Sequence, residues 1–341
     1  MNRRSALARF GVLASVAGGA AQLSACARAP RTGDGLPGSG QSPAAPPDPP
    51  SALVAAMRPA RTDPPAVLAL GEVHDNPVQH ALRLRWLEVL LERGGRFAVA
   101  MEQLDAAHQD RIDALRADNV RTGTRTDARA LAQAGGFSFD GWDWRFYEPV
   151  IAWALRERLP LIGANLANAQ TASIARGQPH ELTQARPARW SDSDETRQQR
   201  EIAEAHCGVL PASILPAMAR AQRARDLTMA RALQRALAAH RMPVVLLAGN
   251  GHVRRDLGVP RYLADSGHIG VVLSVGFVER PLAEADAGAS AAPSVGYDPA
   301  GHYDWRVLTA PQPRPDPCAG LRERMGSGRR ALIDRARPVG Q

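Results

Sequence analysis

The sequence predicts a single α/β domain in which a mostly parallel sheet is sandwiched by helices. Short apolar runs, typical of strands that are buried on both faces, recur along the chain between segments with helical periodicity. They lie at residues 66–70, 97–101, 160–164, 244–248 and 270–275. Strands that alternate with helices in this order form parallel sheets covered by helices.

The helices between these strands are predicted from their start signals and apolar faces. The first begins at Pro77, directly after the good N-cap residue Asn76, and stops before Gly94. Leucines recur along one face of this segment, as expected of a helix that packs on a sheet. Further helices are predicted at residues 105–117, 148–158 and 213–240.

The first 26 residues have the organisation of an export signal. A basic start containing Arg3, Arg4 and Arg9 precedes an apolar stretch at residues 10–23, which is too short for a convincing membrane-spanning helix. The stretch ends in Leu-Ser-Ala-Cys, which resembles the lipobox of bacterial lipoproteins. This resemblance implies that Cys26 is lipidated and anchors the protein in the cell envelope. Because residue 27 is Ala and not Asp, the resemblance also implies that the anchor lies in the outer membrane and that the domain faces the periplasm.

We therefore predict four parts, which are a signal peptide with lipobox at 1–26, a Pro- and Gly-rich tether at 27–65, the α/β domain at 66–280 and an Ala-, Pro- and Arg-rich tail at 281–341. The tether is expected to be partly extended as polyproline II. The tail is expected to be disordered, apart from a short strand near residues 303–308. The sequence leaves open whether Cys207 and Cys318 form a disulfide, because two cysteines do not define a framework.

Composition and motifs exclude several classes of function. The 341 residues carry a formal net charge of +8, and all 42 basic residues are arginine. Such a balance suits nucleic acid, anionic lipid or acidic ligands, but it is also the residue usage of a GC-rich genome. No nucleic-acid-binding motif is present. No Gly-x-Gly-x-x-Gly fingerprint follows the first predicted strand and no Walker loop is present, so nucleotide binding has no support. The absence of Gly-x-Ser-x-Gly argues against a serine-nucleophile hydrolase of that kind.

Acidic, imidazole and amide side chains follow the predicted strands at the point where each strand ends. They are Glu72, His74, Glu102, Asn165, Asn250 and His252. Because the carboxyl ends of parallel strands lie at one edge of a sheet, we expect these side chains to converge in one site. A His beside a carboxylate suits acid–base chemistry, and His with Glu also suits a divalent metal such as zinc or manganese. His80, by contrast, is expected to tie a turn.

Three other groups of residues are open to two interpretations each. The aromatic segment with Trp142, Trp144 and Tyr147 either packs on a flat apolar ligand or forms a satellite core at one end of the sheet. The polar face of the long helix, with Gln222, Arg225 and Asp226, is either a wall of the site or a solvated surface. Arg254, Arg255 and the arginines of the tail could pair with propionates or phosphates.

Four motifs together resemble the ChaN-like haem-binding lipoproteins, which share a superfamily with the erythromycin esterases and Tiki proteases. They are Gly-Glu-x-His-Asp at 71–75, Ala-Met-Glu at 100–102, Ala-Gln-x-x-Arg-Asp-x-x-Met-Ala at 221–230 and Ala-Gly-Asn-Gly-His-x-Arg-x-Asp-x-Gly-Val-Pro at 248–260. The motifs occur in the expected order within residues 67–278, and the lipobox fits as well. The resemblance implies an α/β fold, a lipid anchor and haem binding for uptake.

The resemblance also assigns candidate residues. For haem it implies a pocket with His74, Glu102, Tyr147, Asn250, His252 and Arg254. It leaves the iron ligand open, with Tyr147 and Tyr262 as candidates. If the protein is instead a hydrolase, metal-dependent or not, it implies that Glu72, His74, Glu102 and His252 are catalytic. A homodimer fits the haem interpretation, because a flat cofactor can be held between two subunits.

Overall fold

The fold is built on one sheet that runs through the middle of the domain. A computed structural model describes residues 46–58, 65–124, 126–267, 270–281, 292–316, 318–319 and 322–323. Within these residues the sheet has seven strands in the order β3-β2-β4-β1-β5-β7-β6. The strands are β1 (Val67–Leu70), β2 (Ala98–Asp105), β3 (Leu161–Asn165), β4 (Val244–Leu247), β5 (Val272–Glu279), β6 (Ser294–Tyr297) and β7 (Trp305–Thr309). All neighbouring pairs are parallel except β6 with β7, which confirms the predicted fold class.

Helices cover both faces of the sheet. They are α1 (Ser51–Ala56), α2 (Pro77–Arg93), α3 (Gln109–Thr122), α4 (Ala128–Ala134), α5 (Trp144–Arg156), α6 (Asn168–Ala175), α7 (Asp192–Ala205), α8 (Leu215–His240) and α9 (Val259–Asp265). One face packs against α1 to α5 and contains most of the aromatic side chains. The other face packs against α8 and α9.

The face under α8 is lined by small side chains. Ala69, Ala98, Ala100 and Ala164 point from the strands towards this helix, whose own buried face is rich in alanine. Small residues on both sides let the helix approach the sheet closely. The approach matters for function, because α8 brings its polar residues to the edge where β2, β3 and β4 end.

The turn between β1 and α2 follows from local sequence. All four residues of β1 are buried, as expected of a central parallel strand. The side chain of Asn76 accepts a hydrogen bond from the N–H of Gln79 at 3.1 Å, so it caps α2, and Pro77 occupies the first helical position. The helix ends at Arg93 before two glycines, of which Gly95 has a φ of 123°. The predicted bounds of this helix are confirmed.

Residues 46–58 do not form a free tether, although the sequence prediction extends the tether to residue 65. Leu53 and Met57 of this segment are fully buried against α2. The indole N–H of Trp86 donates to the carbonyl of Pro47 at 2.8 Å, and Asp48 pairs with Arg93 at 3.0 Å. The prediction was wrong because it relied on the proline-rich composition of the segment. Leu53 and Met57 are four residues apart, so both lie on the same buried side of the chain at α1. The export signal, the lipobox and Cys26 lie outside the described residues.

The chain beyond residue 280 contributes more to the fold than the sequence predicts, which is a tail disordered apart from a short strand near residues 303–308. That strand corresponds to β7. β7 pairs with β5 in parallel, and its Val307 is fully buried. Residues 310–316 and 318, which we call the C-terminal strap, follow β7. Arg314 of this strap forms ion pairs with Glu279 at 2.6 Å and with Asp75 at 2.9 Å. A disulfide joins Cys318 to Cys207, with their Cα atoms 5.6 Å apart. No helix within the described part of the chain is long and apolar enough to cross a bilayer.

Candidate functional site

Glu72 is the buried carboxylate at the end of β1. Its side chain is inaccessible to solvent and receives several donors. The hydroxyl of Tyr147 donates to Oε1 at 2.6 Å, Nδ1 of His74 lies 2.7 Å from the same oxygen, and Arg83 forms an ion pair with Oε2. Burial lowers the pKa of Arg83 to about 10, so this guanidinium is charged at neutral pH. A buried charge is tolerated only when it is paired, so Glu72 and Arg83 depend on each other.

Glu102 is the second buried carboxylate, near the end of β2. The N–H of Gly249 donates to its Oε2 at 2.7 Å, and Arg225 of α8 pairs with Oε1 at 2.8 Å. Nε2 of His252 lies 3.3 Å from the same oxygen. Burial alone would raise the pKa of Glu102, but the nearby cationic His252 and Arg225 hold it well below its usual value. Glu102 is therefore a fixed negative charge in the centre of the site.

His252 bridges Glu102 and Asp226. Its Nδ1 lies 2.6 Å from Oδ1 of Asp226, a residue of α8 that is itself almost fully buried. Burial lowers the pKa of His252, but the Glu102 and Asp226 carboxylates outweigh this effect and raise the pKa to about 9. At neutral pH the ring is therefore an imidazolium. Burial raises the pKa of Asp226, although His252 acts in the opposite direction.

His74 is the imidazole of the site that reaches solvent. About half of its side chain (47 %) is exposed, whereas Glu72 beneath it is not. The ring meets Trp142 edge-to-face with centroids 4.8 Å apart. Desolvation by the surrounding residues lowers the pKa of His74, and His252 and Arg225 act in the same direction although Glu102 opposes them. The ring is therefore neutral at neutral pH.

The sequence predicts that six strand-end residues converge, and four of them lie together in the structure. Glu72 and His74 lie on one side of this group, and Glu102 and His252 lie on the other. A Cβ on Gly249, between the two sides, would stand 2.9 Å from Nε2 of His74. We use the name strand-edge cleft for these four residues together with Trp142, whose ring contacts that of His74.

Asn250 and Arg254 have structural contacts instead of facing the cleft. The carboxamide of Asn250 donates to the carbonyl of Phe277 at 2.6 Å and accepts from the N–H of the same residue at 3.1 Å, so it ties the loop to β5. Arg254 is buried and pairs with Asp256 at 2.8 Å and with Glu201 at 2.9 Å. Both side chains are occupied by the protein, and neither is free for a haem group in this structure.

Both tyrosines considered as iron ligands are buried beneath the surface. Tyr147 donates its hydroxyl to Glu72, and Tyr262 packs under α8 with its hydroxyl unpartnered among the described residues. Desolvation raises the pKa of both phenols above the ordinary value, which disfavours the phenolate form. The prediction for His80 is confirmed, because its ring contacts the carbonyl of His74 at 2.9 Å and ties the turn.

Sequence reasoning missed Arg83 and left Asp226 undecided. Arg83 lies on the buried side of α2 between leucines, and an arginine at such a position signals a buried carboxylate partner. Gln222, three residues earlier than Arg225, contacts the ring of His252 at 3.2 Å. The polar face of α8 is therefore a wall of the site and not a solvated surface. Within the described residues, no group of three His, Cys, Asp or Glu side chains is arranged to hold a metal ion.

The fold and this geometry define a class of protein, namely an α/β domain with buried His–carboxylate pairs at the carboxyl edge of a parallel sheet. The sequence matches the family described as haem-binding uptake, Tiki superfamily, ChaN, over residues 60–263. Since the match spans more than half of the chain, the protein belongs to this family. No curated protein sequence matched.

Solved structures to which this chain is similar include ChaN of Campylobacter jejuni, described with cofacial heme binding. It is 22 % identical, with a TM-score of 0.56 and coverage of 75 % of this chain and 88 % of that chain. This likeness supports the fold. A mutant of the erythromycin esterase EreC in its open conformation is 16 % identical, with a TM-score of 0.37 and coverage of 77 % and 79 %. The type III effector HopBA1 is 12 % identical, with a TM-score of 0.36 and coverage of 75 % and 97 %. Scores this low carry no functional argument.

Proposed function

We propose that the protein binds haem at the strand-edge cleft. Family membership supports this proposal, and the observation that carries it is the half-exposed imidazole of His74. Its Nδ1 is held by buried Glu72, and Trp142 provides a flat apolar wall beside it. A neutral imidazole with a carboxylate behind it is a common way to hold a metal ligand in position. The residues therefore fit an iron porphyrin, and His74 would be the side chain that meets the iron.

Each part of the cleft would contribute differently to haem binding. Bound haem supplies iron that accepts a nitrogen ligand and a large apolar ring that stacks on aromatic side chains. Glu72, fixed by Arg83 and Tyr147, would set the orientation of the His74 ring and the proton on its Nδ1. Glu102 and His252 would form the polar floor.

A haemin titration followed at the Soret band tests this function. Wild-type residues 46–341 are expected to give a saturable band, and His74→Ala is expected to weaken binding about tenfold or more and to change the ligand-sensitive bands. His302→Ala is the matched control, because His302 lies outside the cleft and contacts Tyr303. Absence of a saturable band in the wild type would reject haem binding. A band that His74→Ala leaves unchanged would reject His74 as the ligand.

We further propose that the protein is anchored in the outer membrane through Cys26 and serves haem or iron uptake. The basic and apolar start of the chain and the lipobox at 23–26 support the anchor. Labelling with a fatty acid in cells, followed by fractionation, tests it. The wild type is expected to carry the label and to occur in the outer-membrane fraction. Cys26→Ser is expected to lose the label and to leave that fraction. Label-free wild-type protein would contradict the anchor.

A hydrolase is the second candidate, and one specific observation favours it. Two His–carboxylate pairs, Glu72–His74 and Asp226–His252, flank Glu102, and the pKa values of the two rings are shifted in opposite directions. A neutral imidazole is suited to act as general base and an imidazolium as general acid. A screen of ester and peptide substrates tests this function. Activity that falls at least about a hundredfold in Glu102→Gln, with the fold intact, would support it.

A further inference from the structure

A second recess lies beside the strand-edge cleft, at the end of β3. Its volume is about 350 Å³, and it is bounded by α8, the loop after β3 and the turn that contains His180. Asn165 lines it and also accepts a hydrogen bond from Nε of Arg225 at 3.0 Å, while Arg225 pairs with Glu102 of the cleft. The two spaces are therefore neighbours that share one hydrogen-bonded wall. β3, which ends at Asn165, is paired with β2, which carries Glu102.

Asn165 is the buried polar residue of the recess, and its side-chain amide nitrogen is a hydrogen-bond donor. The side-chain oxygen of Asn165 is identified by its partners, because it accepts from the N–H of Leu166 at 2.8 Å and from Arg225. The amide nitrogen is thereby left on the other side of the group, and no protein acceptor contacts it within the described residues. Asn165 is 6 % exposed, so this nitrogen belongs to a side chain that is more than nine-tenths buried. An N–H₂ group without a protein acceptor is available to an acceptor from a ligand or water.

The ring of His180 presents a second donor. Its Nδ1 accepts a hydrogen bond from the N–H of Leu182 at 3.1 Å. An imidazole nitrogen that accepts carries no proton, so the ring holds its proton on Nε2. Since His180 lines the recess, a bound acceptor can reach this second N–H group.

The charged residues of the recess add a net positive charge. Arg231 and Arg235 lie on one face of α8, and Glu181 pairs with Arg231 at 3.2 Å. The acidic side chain thus offsets one arginine, and Arg235 is left as a cation without a protein partner among the described residues. A guanidinium that is joined by two neutral N–H donors matches the two oxygens of a carboxylate.

We propose that the recess bounded by Asn165, His180 and Arg235 is an anion subsite that binds a carboxylate group. Two sources have this chemistry, namely a propionate arm of a porphyrin that is held in the adjacent cleft and a free small carboxylate. The first source rests on the proposed function and follows from the wall that Asn165 and Arg225 share with Glu102. The second requires only the recess itself.

The test uses Arg235→Gln and, as the matched control, Arg58→Gln. Arg58 is an exposed arginine that follows α1 on the other face of the sheet, so both variants lose one surface charge. Succinate is titrated while the imidazole signals of His180 are followed by NMR. In parallel, haemin and haemin dimethyl ester, whose carboxylates are blocked, are titrated at the Soret band.

The expected result is that Arg235→Gln weakens carboxylate binding about tenfold and that Arg58→Gln leaves it unchanged. A preference for haemin over its dimethyl ester, lost in Arg235→Gln, identifies the porphyrin arm as the source. A saturable shift of His180 with succinate, together with equal binding of haemin and ester, identifies a free carboxylate. The subsite is overturned if succinate does not move His180 and Arg235→Gln binds haemin like the wild type. If the wild type binds no haemin at all, the proposed function fails, and the succinate titration alone decides the subsite.

Discussion

At the scale of single residues, glycine 249 sets the spacing between the two sides of the cleft. A Cβ at this position would stand 2.7 Å from Cε1 and 2.9 Å from Nε2 of His74, which is closer than van der Waals contact allows. We predict that Gly249→Ala displaces the His74 ring and weakens haemin binding about tenfold or more, with little change in stability. Gly296→Ala is the control, because nothing lies within 4 Å of its added Cβ. Wild-type affinity in Gly249→Ala would show that the ring position is not important.

A second prediction at this scale concerns pH. The folded pKa of His252 is raised from 6.5 to about 9, so folding is favoured by its protonation below pH 6.5 and this contribution is lost as pH rises through 9. The pKa values of His74 and His80 are lowered, so neither ring changes charge in that range. We predict that the free energy of unfolding falls by up to about 3 kcal/mol between pH 7 and pH 10.

Urea unfolding across this pH range, with an NMR titration of His252, measures the effect. Asp226→Asn is expected to lower the His252 pKa and to flatten the dependence, because it removes the carboxylate at 2.6 Å. Asp110→Asn, an exposed residue of α3, is the control. An unshifted His252 pKa in the wild type would contradict the assignment of an imidazolium.

Residue identity and strand periodicity were sufficient to predict the convergence of Glu72, His74, Glu102 and His252. They could not distinguish Asn250, whose amide is used by β5, from a ligand-binding residue, because both roles place a polar group after a strand. Nor could they show that the hydroxyl of Tyr147 points down to Glu72. Such directions depend on how α5 packs, and the periodicity of a helix does not give its rotation about the sheet.

At the scale of elements, α1 is the clearest difference between the predicted and the observed structure. Leu53 is fully buried between this helix and α2, so its truncation leaves a cavity. We predict that Leu53→Ala lowers the free energy of unfolding by about 2 kcal/mol or more, whereas exposed Ala55→Ser has an effect below about 0.5 kcal/mol. Chemical denaturation measures both. Equal stability of the two variants would show that residues 46–58 are part of a detached tether after all.

The C-terminal strap is the second such element. It connects β7 to the end of α7 through the disulfide between Cys318 and Cys207, which are separated by 111 residues in the chain. Cross-links that close long loops typically stabilise by about 2–4 kcal/mol. We predict a loss of that size in Cys318→Ser, and the same loss when the wild type is reduced. A variant as stable as the oxidised wild type would contradict a stabilising role of the strap.

At the scale of the whole molecule, the alternation of apolar strands and helices was enough to predict a parallel sheet between helical layers. The order of the strands was not predictable, because it depends on which faces the crossover helices cover. β6 was missed and β7 was left open, because both lie in a region of Ala, Pro and Gly. β7 is held in the sheet by pairing with β5, and the mostly exposed β6 is held by pairing with β7. The same pairing places Arg314 beside Asp75, at the rim of the strand-edge cleft.

Paramagnetic broadening of histidine signals measures the position of bound haemin directly. Protein with labelled histidines is compared by NMR before and after one equivalent of haemin, whose iron(III) broadens nearby nuclei. We predict that the imidazole signals of His74 and His252 broaden strongly, while those of His206 and His302 stay sharp. Binding of haemin that leaves His74 and His252 sharp would contradict the assignment of the strand-edge cleft as the haem site.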